Sequence, residues 1–275
     1  MLRLAVIGKD VSKSLSPEMH RFILDRMGYA CEYEKISLSE EELEKNGEEL
    51  FSRFDGFNAT IPHKQNVLPF LKKLEGDAGV FGAVNTVVTK TRTGYNTDGT
   101  GFLTMLEEAD FSAKGKRVLV LGAGGAGRSC IYALNGAGAE VTAYERDGER
   151  LNAVYGDFKD FTPRTSLDFF RFDFIVNCTG VGMHDTVGKT PSVPDGNGDD
   201  CILRLVENCS AVVDLIYEPK ESELLRLARE RGKLVLNGEA MLFFQAYAAD
   251  CIFTGTARDM KFAKTLWKEY REEHS

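Results

Sequence analysis

Apolar and polar positions follow one another along this chain in short blocks whose period keeps switching. Residues 2–7 form an apolar run around a single arginine, short enough for a buried strand. Ser16-Pro17-Glu18 then carries the marks of a helix start: a hydroxyl that can cap, a proline suited to the first turn, and an acid suited to the positive helix end. Met19, Phe22, Ile23 and Met27 give that helix one apolar face, and Gly28 predicts its stop. Residues 33–38 predict a second strand and 40–51 an acidic amphipathic helix. Residues 57–61 predict a third strand ended by Pro62, and 84–89 with 95–97 a hairpin turning at 91–94.

A second series starts near Lys116. Residues 117–121 predict a strand, 122–127 a tight turn, 128–135 a helix and 141–144 the next strand. Apolar strands follow at 174–178, 212–216 and 234–236, and helices at 239–253 and 259–270. Residues 186–200 are rich in Gly, Pro and Asp and predict a mobile surface loop. Strands that alternate with helices in this way predict an α/β fold with mostly parallel sheets.

Composition narrows the function classes. With 43% hydrophobic and 28% charged residues, the 275-residue chain reads as globular, with room for two domains. A net charge of −8 argues against a nucleic-acid or anionic-membrane surface, although backbone amides and single cations can still hold a small anion. No stretch approaches the ~20 apolar residues of a membrane span. The N-terminus turns polar too soon for a signal peptide. The 6 cysteines form no C-x-x-C pair and sit mostly in apolar runs, which predicts reduced core thiols in a cytoplasmic protein. The 4 histidines are scattered, so no metal centre is expected.

Gly122-Ala123-Gly124-Gly125-Ala126-Gly127 fits G-x-G-x-x-G, and here it follows a strand and opens a helix. The first glycine allows the tight turn, the second lets backbone approach a pyrophosphate, and the third lets helix and strand pack closely. A glycine-rich loop without ligand is the plain alternative. Glu145 closes the next strand, where an acid suits the ribose hydroxyls of NAD and opposes the 2′-phosphate of NADP. Arg146 follows and pulls the other way, since it could pair with that phosphate.

Four polar clusters lie near predicted strand ends in the first hundred residues. Ser12-Lys13-Ser14-Leu15-Ser16-Pro17 offers hydroxyls suited to a carboxylate, or simply a helix cap. Asn58-Ala59-Thr60-Ile61-Pro62-His63-Lys64 places a lysine after a strand, where it is a proton donor or a surface cation. Gly82-Ala83-Val84-Asn85-Thr86 and Gly94-Tyr95-Asn96-Thr97-Asp98-Gly99 are candidate ligand loops or ordinary Asx turns.

Taken together, these clusters resemble the shikimate dehydrogenase family. S-x-S-P matches at Ser14 to Pro17, N-x-T-x-P-x-K at Asn58 to Lys64, G-A-V-N-T at Gly82 to Thr86, and N-T-D-x-x-G at Asn96 to Gly101. N-x-T-x-x-G-M matches at Asn177 to Met183, D-x-x-Y-x-P at Asp214 to Pro219, and G-x-x-M-L-x-x-Q-A at Gly238 to Ala246. The resemblance implies reduction of 3-dehydroshikimate to shikimate with NADP or NAD, in aromatic amino-acid biosynthesis. It implies a substrate-binding domain at 1–104, with 240–275 packing back on it, and a Rossmann domain at 105–239. It implies a small-molecule substrate and a monomer or homodimer.

Carried over residue by residue, Lys64 and Asp98 are the catalytic pair. Ser14 and Ser16 hold the substrate carboxylate; Thr60, Asn85, Asp98 and Gln245 hold its ring hydroxyls; Tyr217 contacts it, and Asn58 supports the site. The cofactor falls to Gly122, Ala123, Gly124, Gly125, Ala126, Glu145, Arg146, Thr179, Leu215, Gly238 and Met241. The physical reading agrees: hydride arriving at a ketone puts charge on its oxygen, and a lysine there stabilises and protonates it.

This chain departs from the family at Asp10, where a proline is usual, and at Lys13, where a histidine is usual, which adds a cation near the carboxylate site. Ala59 replaces a valine. Glu145-Arg146-Asp147 stands where NADP-using members commonly read N-R-T, and its two carboxylates weaken the expectation of NADP. Alternatives are a quinate or dual quinate/shikimate dehydrogenase using NAD, and a ligand-sensing homologue without chemistry.

Overall fold

The computed structural model describes residues 1–157, 160–167 and 171–274. The chain forms two compact units: Met1–Gly101 with Leu242–Ser275, and Phe102–Met241. The sequence reading puts these boundaries at 104 and 240.

The first unit begins with β1 (Leu2–Gly8), α1 (Ser16–Arg26), β2 (Cys31–Ser37), α2 (Glu40–Arg53) and β3 (Gly56–Ala59). The short α3 (His63–Asn66), β4 (Lys73–Leu74) and α4 (Asp77–Phe81) follow, then the hairpin β5 (Thr86–Val88) and β6 (Thr93–Tyr95), and then the start of α5 (Asp98–Glu108), whose residues from Phe102 on belong to the second unit. Its sheet runs β2-β1-β3-β5-β6-β4. β1 pairs parallel with both β2 and β3, while β3–β5 and β5–β6 are antiparallel.

Both faces of the sheet are covered at β1, so Leu4, Ala5, Val6 and Ile7 are all buried rather than alternating. Ser39 caps α2 by accepting from the Glu42 amide, while the Glu42 carboxylate accepts from the Ser39 amide. Ala5, Ile7, Leu43, Phe57 and Val87 fill one core. Leu4, Val6, Leu24 and Tyr33 fill another.

α1 corrects the reading of Ser16. The N-cap is Leu15, and no side chain caps the helix. Ser16 is the first helical residue, so its hydroxyl is not spent on a cap.

The second unit contains β7 (Arg117–Leu121), α6 (Gly125–Gly136), β8 (Glu140–Tyr144), α7 (Gly148–Asp157), β9 (Thr162–Arg164) and β10 (Phe174–Asn177). α8 (Ile202–Glu207), β11 (Ala211–Asp214), α9 (Glu223–Glu230) and β12 (Leu234–Asn237) complete it. α10 (Glu239–Thr254) returns the chain to the first unit, where α11 (Met260–Glu273) ends it. The sheet is parallel throughout, in the order β12-β11-β10-β7-β8-β9. Leu119, Ile175, Leu205, Val212 and Leu224 are among its core.

Segment 186–200 is not a plain surface loop. Val193 is fully buried, and the buried Asp195 accepts the amides of Asn197 and Asp199 and pairs with Arg204. A carboxylate that closes its own turn and draws in an arginine anchors a segment whose composition reads as loop.

Strand order places two candidate sites, one in each unit. In the first sheet, β1 lies between β2 and β3, and the loops leaving β1 and β3 start from neighbouring strand ends. In the second, β7 lies between β8 and β10. Open α/β sheets hold ligands at such reversals, beyond the carboxyl ends of the strands.

Candidate active site and dinucleotide turn

In the first unit, Lys64 sits in the single turn of α3, just past β3, and Asp98 opens α5. Their side chains pair through Nζ and Oδ2, and both are largely shielded from water, at 16% and 7% exposure. Oδ1 of Asp98 accepts from Nδ2 of Asn85 at 2.8 Å. The Asp98 amide donates to Oδ1 of Asn96 at 3.0 Å, an Asx turn that fixes where the helix begins.

Asn85 holds the centre of this network. Its Nδ2 also lies within hydrogen-bond distance of the Thr97 hydroxyl and of Oε1 of Gln245. Its Oδ1 accepts from the Thr97 amide and the Thr86 hydroxyl. Gln245, on α10, donates to the Leu242 carbonyl at 2.8 Å. Asn85, Asp98 and Gln245, far apart in sequence, thus share one buried cluster.

Asn58 belongs to the same cluster as a support. Its Nδ2 donates to the Asn85 carbonyl and the Thr86 hydroxyl, and its Oδ1 accepts from the Tyr33 hydroxyl at 2.7 Å. Tyr33 stacks on His20 with ring centroids 4.6 Å apart, and His20 Nδ1 lies 2.6 Å from Oδ1 of Asp250. Tyr33, Thr86 and Thr97 are members that sequence reasoning missed as site residues. Thr86 and Thr97 lie inside matched motifs and could have been picked out there; Tyr33 reads as an ordinary strand residue.

The loop after β1 lies against the loop after β3: the Lys9 amide donates to the Ile61 carbonyl at 3.1 Å. It carries Ser14, whose hydroxyl accepts the Ser16 amide at 3.2 Å, and Ser16, buried at the head of α1. Among the described residues the Ser16 and Thr60 hydroxyls have no hydrogen-bond partner, and no hydrogen bond joins Ser14 or Ser16 to the Asn85 cluster. Lys13 is exposed.

In the second unit, the glycine turn follows β7 at the strand reversal. Gly122 has φ +91°, a region that disfavours any side chain. A Cβ on Gly127 would stand 2.0 Å from the Gly122 carbonyl oxygen, so only glycine lets helix and turn close. A Cβ on Gly124 would meet nothing within 4 Å, which leaves open space over the turn. α6 starts at Gly125, earlier than periodicity predicts, and no side chain caps it. Its first amides therefore remain available to a phosphate, whereas the Gly122 and Ala123 amides are taken up within the protein, by the Tyr144 carbonyl and the Glu145 carboxylate.

The end of β8 changes the meaning of its acids. Glu145 is buried and is spent on backbone: one oxygen accepts the Ala123 amide at 3.0 Å, the other the Asp147 amide at 3.2 Å. Asp147 accepts the amides of Glu149 and Arg150 and so starts α7. Arg150, which sequence reasoning missed, lies 3.6 Å from Glu145 and 3.8 Å from Asp147. Its signal was the spacing of four from Arg146 at a helix start. Arg146 is exposed, with no ion-pair partner among the described residues.

The remaining residues carried over by resemblance also lie in this unit. Thr179 follows β10 and Leu215 follows β11. Gly238 lies where a Cβ would stand 2.0 Å from the Leu215 carbonyl oxygen. Met241 is buried in α10. Tyr217 is partly buried, and burial pushes its phenol above the ordinary value.

A parallel sheet with a glycine turn at its strand reversal, together with a largely shielded lysine–carboxylate pair on the other unit, defines an α/β dinucleotide-dependent oxidoreductase. The family model for the shikimate dehydrogenase substrate binding domain matches residues 6–87. The shikimate dehydrogenase (NADP(+)) of Carboxydothermus hydrogenoformans is 34% identical over 271 residues, covering 94% of each chain. The Thermus thermophilus shikimate 5-dehydrogenase, solved with NADP(H) and shikimate, superposes with a TM-score of 0.84 at 34% identity, covering 98% of this chain and 99% of that one. The Listeria monocytogenes shikimate 5-dehydrogenase, solved with shikimate and NAD, gives 0.79 at 27% identity, covering 97% and 96%. The chain belongs to the shikimate dehydrogenase family.

Proposed function

We propose that this chain catalyses the reversible NAD(P)H-dependent reduction of 3-dehydroshikimate to shikimate. The observation that carries this reading is the largely shielded Lys64–Asp98 pair, with Asn85 engaging the carboxylate oxygen that Lys64 leaves free. The dinucleotide supplies or accepts the hydride. Lys64 stabilises the oxygen that gains charge and gives it a proton; in the reverse direction its neutral amine takes the proton from the alcohol. Asp98, held by Asn85 and the Asx turn, orients the lysine.

Ser14 and Ser16 are assigned to the substrate carboxylate. Thr60, Asn85 and Gln245 are assigned to its hydroxyls, and Tyr217 to a further contact. Asn58, whose amide is satisfied within the protein, supports Asn85 rather than touching substrate. In the second unit the glycine turn takes the pyrophosphate, and Thr179, Leu215, Gly238 and Met241 line the cofactor. Because Glu145 and Asp147 serve backbone amides while Arg146 is exposed, with no ion-pair partner among the described residues, the strand end accommodates both NADP and NAD.

Among the described residues no helix is long and apolar enough to cross a membrane. Six free thiols, four of them buried, support a cytoplasmic setting. The test is an assay of shikimate and of quinate, each with NADP and with NAD. Turnover of shikimate is the expected result. Turnover of quinate alone would assign the chain to the quinate branch, and no turnover with any pairing would overturn the enzymatic reading.

A further inference from the structure

Two matched motifs contain polar residues that no role above absorbs: Asn177, which ends β10, and Asp214, which ends β11. Both are fully buried. Oδ1 of Asp214 accepts Nδ2 of Asn177 at 3.0 Å and the Ile216 amide at 3.1 Å, and Oδ2 accepts the Ser222 hydroxyl at 2.6 Å. Every contact is a donor aimed at the carboxylate, from three separate stretches of chain. Burial of a carboxylate is costly in a sheet core, and an apolar pair would cross-link β10 and β11 at least as stably.

What the cluster holds in place is the chain beyond the strand ends. Oδ1 of Asn177 accepts both the amide and the hydroxyl of Thr179, at 3.0 and 2.7 Å. Thr179 in turn lies over the glycine turn: a Cβ on Gly122 would stand 2.9 Å from its Cγ2. On the other side, the Leu215 amide donates to the Asn177 carbonyl at 3.0 Å, and the Gly238 amide to the Ile216 carbonyl at 3.2 Å. Thr179, Leu215 and Gly238 therefore all hang from one buried polar knot at the sheet reversal.

We propose that Asp214 and Asn177 are positioning residues for the dinucleotide, locking the ends of β10 and β11 so that Thr179 and Leu215 stand correctly beside the glycine turn. The proposal rests on the cofactor assignment above but not on the identity of the hydroxy acid. Asp214→Asn keeps an oxygen for Asn177 and Ile216, and the Ser222 hydroxyl can rotate to accept its new N–H. Asp214→Ala takes the acceptor from the Ile216 amide and the Ser222 hydroxyl and leaves Nδ2 of Asn177 only the long contact to the Val181 carbonyl, at 3.5 Å.

The experiment is calorimetric titration of the full chain with NADPH and with NADH, alongside the shikimate KM and thermal unfolding. Asp214→Ala is expected to weaken binding of both cofactors at least tenfold, with the shikimate KM changed less than threefold, and Asp214→Asn to restore most of that loss. Asn177→Ala serves the same test if Asp214→Ala does not fold, and the same split is expected of it. Wild-type cofactor affinity in the alanine variants would overturn the proposal. So would a parallel loss of cofactor affinity and substrate KM that Asp214→Asn does not rescue. Wild-type protein that binds cofactor but turns over neither acid would instead defeat the functional reading; the calorimetric loss of cofactor affinity in Asp214→Ala and its rescue in Asp214→Asn would still decide this proposal.

Discussion

Asn85 and Asp98 meet at 2.8 Å, with the amide donating to the one carboxylate oxygen that Lys64 does not use. The orientation of that amide is not free. Oδ1 of Asn85 already accepts the Thr97 amide, so Nδ2 must face the acid. The carboxylate is thus held from two sides, by a cation and by an oriented amide. Hydrogen bonds to charged groups are worth about 1.5–3 kcal/mol. Asn85→Ala is therefore expected to lower kcat by about 10- to 100-fold, measured as steady-state shikimate oxidation. Unchanged kcat would mean that Asp98 needs no such support.

Lys64→Ala removes the proton donor itself. Its kcat is expected to fall by about 10²–10⁴-fold, the usual worth of a positioned acid or base. Cofactor affinity, read by titration with NADPH, is expected to stay within threefold. A variant that turns over at the wild-type rate would remove Lys64 from the chemistry.

Ser14→Ala and Ser16→Ala test the carboxylate assignment. Each is expected to raise the substrate KM about tenfold with kcat nearly unchanged, as loss of binding shared by ground and transition states predicts. The control is a substrate analogue lacking the carboxylate. If it suffers the same penalty from these substitutions, the hydroxyls read some other group.

Arg146→Ala addresses the choice of cofactor. Glu145 and Asp147 are occupied by backbone amides and by Arg150, whereas Arg146, exposed at the end of β8, has no ion-pair partner among the described residues. Its loss is expected to lower kcat/KM for NADP about tenfold and for NAD less than threefold. Equal effects on both would show that this strand end does not sense the 2′-phosphate.

Asp250 gives the stability a pH dependence. It is wholly buried, and burial pushes its carboxyl up to about 6 despite the opposing pull of His20. An acid whose folded value is raised contributes stability that is present below its unfolded value near 4 and lost as pH rises through 6. The loss is on the order of 3 kcal/mol. Burial pushes the Asp214 carboxyl up to about 6 as well, so chemical denaturation of wild type from pH 4 to 7 is expected to show a fall from both acids, and Asp250→Asn to make it shallower. An equal slope in the variant would assign the dependence to other groups.

The sequence by itself determined the α/β alternation, the positions of the long strands, the glycine turn and the family, because periodicity, glycine spacing and motif order are local properties. It missed β4 and β9, which are too short to show a period and are held by their sheet neighbours. It read segment 186–200 as loop, because the anchoring of Asp195 by Arg204 joins a turn to a helix that composition does not connect. Only the tertiary structure decided what Glu145 does. As a residue it was an acid at a strand end, opposed to a phosphate; folded, it is a buried acceptor for the Ala123 amide. The same holds for Asn58 and Tyr33, which lie 25 residues apart and meet through one hydroxyl. A polar side chain's role depends on which partners fill its donors and acceptors, and here those partners come from distant parts of the chain.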